Sequence, residues 1–228
     1  MFHVSFPTLI YKHWLSGVLN FLYDNFNNIN EINYLDFLEK FNDRLFYGRF
    51  SEDGPLEYFK IIFSNEGIKP IFKEAYLNES TNIQNFIFNR LDYLIWKECI
   101  EKRESLNCPS CNQIGNIDNF IFSFRSSVEH YYPQHPIKQD ELNKSDKLPH
   151  GVDDFGNLCL ISRSVNSKLS NHSPVAKKDY YRESPIIESL KQQLMMSYVK
   201  WGNDSLENIV EHGSEMKKLL CSVYNKGS

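Results

Sequence analysis

Glu129 and His130 stand side by side at the end of an apolar run. After a long polar stretch come Gly156-Asn157-Leu158, a second apolar run over 158–161, and then Asn166. A histidine is neutral near pH 7 and can take a proton from water. A carboxylate and an amide carbonyl are oxygen donors suited to a hard divalent cation such as Mg²⁺, which can stabilise a leaving oxygen and developing charge. These are the parts that hydrolysis of a phosphodiester requires, with His130 as general base and Glu129 and Asn166 at one metal ion. Asn157 takes a supporting catalytic role: its amide donates and accepts at once, so it can tie the polar loop to the second apolar run and hold the backbone around His130.

A basic stretch follows. Arg163, Lys168, Lys177, Lys178 and Arg182 are opposed within 163–182 only by Asp179. Such cations meet phosphates as point charges or forks, so these five are the candidate nucleic-acid contacts. The whole chain carries −4, from 25 basic and 29 acidic residues. That excludes a uniformly basic nucleic-acid coat and leaves room for a local basic face.

Positioning these groups sets demands on the elements. Neighbouring strand residues point to opposite faces, so Glu129 and His130 serve together only if their strand ends or bends there. Tyr131-Tyr132-Pro133 supplies such an ending. Alternation of Phe120, Phe122 and Phe124 predicts a strand over 119–128 that delivers the pair, with 158–161 as the return strand. Short helices are expected over 163–171 and 174–181, the second with Ser173 as N-cap and Pro174 in its first turn. The intervening 131–155 reads as a loop, and loops of that length usually carry function. Helical spacing predicts further helices over 8–26, 32–46, 56–63, 82–104, 188–198 and 206–221. The stripe of Ile83, Phe86, Ile87, Leu91, Leu94, Ile95 and Ile100 reads as core packing rather than a ligand box. The expectation is an α+β, mostly helical chain, divided into a helical scaffold at 1–105, a strand–loop–strand–helix core at 106–184 and packing helices at 185–228.

With 228 residues, the chain can bury a sizeable core, and its 14% aromatic content excludes a disordered chain. Five irregularly spaced cysteines and no signal peptide point to a reducing cytoplasm. No apolar run approaches the ~18 residues a bilayer span needs, so no membrane partner is expected. Cys108-Pro109-Ser110-Cys111 offers half of a tetrahedral Zn²⁺ site, but no second pair follows at suitable spacing, and a Pro-Ser turn is the preferred reading.

Taken in order, Glu129-His130-Tyr131-Tyr132-Pro133-Gln134, Gly156 to Ile161, Asn166, Lys177 and Tyr180-Tyr181 resemble the His-Me finger (HNH) nucleases. More narrowly, the pattern is similar to the nuclease domain of GmrSD-type modification-dependent restriction enzymes, as is the stretch from Phe88 to Trp96. The resemblance implies a ββα-metal core embedded in α-helices. It implies His130 as general base, Glu129 and Asn166 as ligands of Mg²⁺ or Mn²⁺, and Asn157 as the structural middle Asn. It further implies DNA as substrate, in restriction or anti-phage defence. The acidic residue is Glu where many such nucleases carry Asp. The ParB-like nucleotide-binding domain that usually partners this nuclease has no counterpart here, since no Gly-rich phosphate loop is present and helical sequence begins at Met1. The chain is therefore expected to be a separate effector or a piece of a longer protein. A catalytically silent nucleic-acid or protein binding module is the competing reading, opposed by the intact Glu129, His130 and Asn166 set. An RNA-directed nuclease is a further alternative that residue types do not separate.

Overall fold

Side chains write the helix starts. In the computed structural model, Asn30 and Asn33 form a reciprocal capping box, each side chain accepting from the other's backbone N–H at 2.9 and 3.0 Å. Ser162, Ser173 and Ser189 each accept from the backbone N–H three residues on, which satisfies donors that a helix's first turn leaves unpaired. The structure describes residues 1–6, 12–64, 66–102, 109–114, 117–137, 139–184 and 186–224. Its helices are α1 (Phe2–Ser5), α2 (His13–Asp24), α3 (Glu31–Arg49), α4 (Tyr58–Phe63), α5 (Asn85–Glu101), α6 (Pro109–Ile114), α7 (Arg163–Leu169), α8 (Pro174–Arg182), α9 (Leu190–Ser197) and α10 (Leu206–Leu220). Strands β1 (Ser127–His130) and β2 (Leu158–Ile161) form a two-stranded antiparallel sheet and stand between α6 and α7 in sequence. The fold is mostly helical α+β, as the sequence implies.

Contacts divide the chain into two units. One holds 77–220 with Met1 and His3–Ser5; the other holds Phe2, 6–76 and 221–228. The division by contacts falls at Leu77, and α5 lies in the same unit as the strands. In the smaller unit, aromatic rings dominate: Phe37 stacks on Phe21 at 4.1 Å, and Phe46 on Phe72 at 4.8 Å between centroids.

In the larger unit, all four residues of β2 are buried, with α5 and α9 packed against the strand. A two-stranded hairpin is marginal alone, so this helical cover supplies its stability. α5 contributes more than an apolar stripe. Its Asn89 and Asp92 are buried and accept hydrogen bonds from the buried guanidinium of Arg125, which also donates to the Glu188 carbonyl at 2.6 Å. Asp92 accepts in addition from the backbone N–H of Lys191 at 3.0 Å. One carboxylate thus holds together α5, the approach to β1 and the start of α9.

That network corrects the strand expected over 119–128. The ladder begins only at Ser127; Phe120 makes an isolated bridge to Ile187, and Phe124 is 55% exposed. Arg125, on the face opposite to the one the alternating phenylalanines would bury, is the buried residue. Cys108 of the Cys-x-x-Cys pair lies outside the described residues.

Candidate active site

β1 and β2 pair with Glu129 opposite Cys159 and His130 opposite Leu158. One step beyond the ladder, the Tyr131 N–H donates to the Asn157 carbonyl at 2.9 Å. The Asn157 side chain is fully buried and uses its whole hydrogen-bonding capacity. Its Oδ1 accepts from the Tyr132 N–H at 2.8 Å and from Trp201 Nε1 at 3.0 Å. Its Nδ2 donates to the carbonyls of Tyr132 at 3.0 Å and Val152 at 2.9 Å. Asn157 therefore clamps both ends of the long loop beside His130. Gly156 precedes it because α10 passes so close that a Cβ there would lie 2.2 Å from the Ile209 carbonyl oxygen.

His130 is the last residue of β1 and only 7% exposed. Its Nε2 is 2.8 Å from Asp153 Oδ1, and the same oxygen accepts from the Ser80 hydroxyl at 2.6 Å. Partial burial works against ionisation of Asp153. The hydrogen bonds from Ser80 and His130, with the charges of His130 and Lys144, outweigh it and hold this carboxyl below the usual range. Burial pushes the His130 pKa below its ordinary value, with Asp153 pulling back and Lys177 adding to the depression. The net effect favours the neutral imidazole. Among the described residues nothing hydrogen-bonds to its Nδ1.

Glu129 points to the other face of β1. Its carboxylate Oε1 accepts from the Lys177 ammonium, which also donates to the His130 carbonyl at 2.6 Å. Both side chains are buried, and burial lifts the Glu129 pKa above the ordinary carboxylate value, offset in part by the charge and hydrogen bond of Lys177. Asn166, on α7, donates through Nδ2 to Ser127 Oγ at 2.6 Å. Ser127 shares the Glu129 face of β1 because it lies two residues away. Asn166 and Glu129 are thus brought to one side of the strand, with His130 turned toward Asp153 at its end.

Among the described residues, no group of three or more His, Cys, Asp and Glu side chains is arranged to hold a metal ion. Mg²⁺ does not require one, since it takes one or two protein oxygens and keeps water and phosphate for the rest. Glu129 and Asn166 offer oxygens of the type such an ion takes: one carboxylate, with Oε1 already engaged by Lys177, and one amide whose Nδ2 is engaged by Ser127 while no described donor reaches its Oδ1.

Of the five cations predicted to meet nucleic acid, Arg163, Lys168 and Arg182 are exposed and Lys178 is half-buried. Arg182 also pairs with Asp179 at 3.0 Å. Lys177 is a correction: its side chain is completely buried, and its ammonium is committed to Glu129 and a backbone carbonyl rather than to an outside phosphate. Sequence reasoning missed Asp153, Ser80 and Trp201. Asp153 had one weak signal, its place in Gly151-Val152-Asp153-Asp154 within the loop. Ser80 and Trp201 had none, because their contacts span long separations in the chain.

Residues 69–219 match the family model of the C-terminal domain of GmrSD restriction endonucleases, which spans well over half of the chain. The chain belongs to this family. It is a restriction-endonuclease domain, and the substrate of such a nuclease is DNA. The GmrSD match includes His130, Asn157, Glu129, Asn166 and the basic stretch, together with helices α5 to α9. Neither a curated protein nor a solved structure matches the chain. Among the described residues, no helix is long and apolar enough to cross a membrane.

Proposed function

We propose that this GmrSD-family domain is a metal-dependent DNA endonuclease of the His-Me finger (HNH) type, cutting phosphodiester bonds with one metal ion in restriction or anti-phage defence. The observation that carries the reading is His130: at a strand end, its pKa lowered by burial, with one ring nitrogen hydrogen-bonded to Asp153 and the other hydrogen-bonded by no described residue. A carboxylate held low in pKa only accepts hydrogen bonds, so the Asp153 contact puts the imidazole proton on Nε2 and leaves the Nδ1 lone pair free. Nδ1 then takes the proton of an attacking water, a step worth typically 10²–10⁴-fold in rate. Glu129 and Asn166 would hold Mg²⁺ or Mn²⁺, which supplies charge neutralisation at the phosphate and leaving oxygen. Asn157 keeps the loop backbone around His130 fixed, and exposed Arg163, Lys168 and Arg182, with Lys178, fit the DNA backbone. The ββα-metal core of this reading is β1, the long loop, β2 and α7. A ParB-like nucleotide-binding domain on another chain or segment is the proposed partner.

The test is nicking of plasmid DNA with Mg²⁺ and with Mn²⁺ by the native protein and His130→Ala. Native cleavage that is lost in the variant is expected. Equal DNA retention with no cleavage by either protein would favour a binding module, and faster turnover of matched RNA would overturn the choice of DNA.

A further inference from the structure

A general base must present one particular nitrogen, and imidazole has two. In neutral imidazole the proton exchanges between Nδ1 and Nε2 unless a fixed partner selects one tautomer. Around His130 that partner is Asp153, at 2.8 Å from Nε2. Asp153 is itself anchored: its Oδ1 also receives the Ser80 hydroxyl at 2.6 Å. Ser80 sits at a positive φ of 54°, a backbone region costly for a residue with a side chain and kept only where the surroundings enforce it. The two donors converge on a single carboxylate oxygen, which fixes the carboxyl's rotation as well as its position. No other described residue hydrogen-bonds the ring, so this contact selects which nitrogen carries the proton.

We propose that Asp153, anchored by Ser80, is the positioning residue of the nuclease site, holding His130 with Nε2 protonated and Nδ1 turned toward the attacking water. The role rests on the nuclease reading of His130, and it acts through His130 rather than on DNA. Because Asp153 is only half-buried, its removal leaves the packed core intact. Losing the acceptor frees the ring to rotate and to populate the wrong tautomer. The effect falls on the chemical step and not on DNA binding.

The experiment compares native protein, Asp153→Ala, Asp153→Asn and Ser80→Ala. Single-turnover cleavage is measured across DNA concentrations, and imidazole ¹⁵N chemical shifts of His130 are recorded without DNA. Asp153→Ala is expected to lower kcat about 10- to 100-fold at nearly unchanged KM, a loss typical of removing a partner that orients a catalytic ligand. Its His130 shifts should change from an Nε2–H form to a mixture. Asp153→Asn can turn either its acceptor oxygen or its donor NH₂ toward Nε2, so kcat should recover only to the extent that the Nε2–H signature returns. Ser80→Ala should fall between. Full kcat with a native tautomer in Asp153→Ala, or an Asn variant that keeps the Nε2–H signature yet is as impaired as the Ala variant, would overturn the assignment. Cleavage by His130→Ala at the native rate would instead sink the reading of His130 as general base, on which this role rests; the tautomer is read without substrate, so the two failures are separable.

Discussion

A charged group without water is tolerated only with a partner, and Lys177 and Glu129 are each other's partner. Removing one member of a buried ion pair leaves the other charge uncompensated and costs about 3–5 kcal/mol. Lys177→Met should therefore lower the melting temperature by on the order of 10 °C. The double change Glu129→Gln with Lys177→Met should recover much of that loss, because no lone charge remains. Calorimetry on the single and double variants checks this, and additive losses would contradict the coupling. Asn157 makes a second prediction at this scale. Replacing it by Asp puts one carboxylate oxygen in place of Nδ2, facing the carbonyls of both Tyr132 and Val152. Each unsatisfied buried group costs about 1–3 kcal/mol, so Asn157→Asp should destabilise the loop and lower kcat. Faster amide hydrogen exchange over 131–157 would report the loosened clamp.

Among the elements, the hairpin depends on what crosses it. α10 runs over the Gly156 turn closely enough that a methyl group would meet the Ile209 carbonyl. Gly156→Ala must push helix and turn apart, at about 1–3 kcal/mol, and thermal melting with cleavage assays should show both stability and activity reduced. Local chemistry explains which elements were legible in the sequence. β2 was readable as a continuous apolar run because it is buried on every side, and α8 because Ser173 and Pro174 mark its start. The approach to β1 was not, since Arg125 is buried by partners on α5, more than thirty residues away, that no local pattern announces. For the same reason the order and types of His130, Asn157 and Asn166 stood out as a motif, whereas Asp153 and Ser80 did not. Lys177 looked like a surface cation because nothing nearby in the chain shows that its partner is Glu129 on β1.

Across the molecule, burial of titratable groups sets how stability responds to pH. His212 is fully buried, with its Nε2 unpartnered and the Tyr198 and Trp201 rings edge-on to it. Burial, and then the charge of Lys191, depresses its pKa well below 6.5. A depressed folded-state pKa means that, as pH falls below 6.5, the unfolded chain binds a proton the folded one refuses, and stability is lost. Lys191 acts in the same sense over a higher window. Burial lowers its pKa from 10.5 to about 7, so the folded state loses ground as pH falls across that range. Melting temperature should decline from pH 8 to pH 5, and His212→Leu should flatten the portion below 6.5. A native melting temperature that rises toward pH 5 would contradict this assignment.

The indole of Trp201 is tied to Asn157 and stands edge-on to Tyr131, 5.6 Å between ring centres. It thereby makes the catalytic loop optically visible. Its emission should shift to the red and quench when the clamp opens, and with Trp14 and Trp96 replaced by Phe it would give a label-free signal of loop opening as DNA is added.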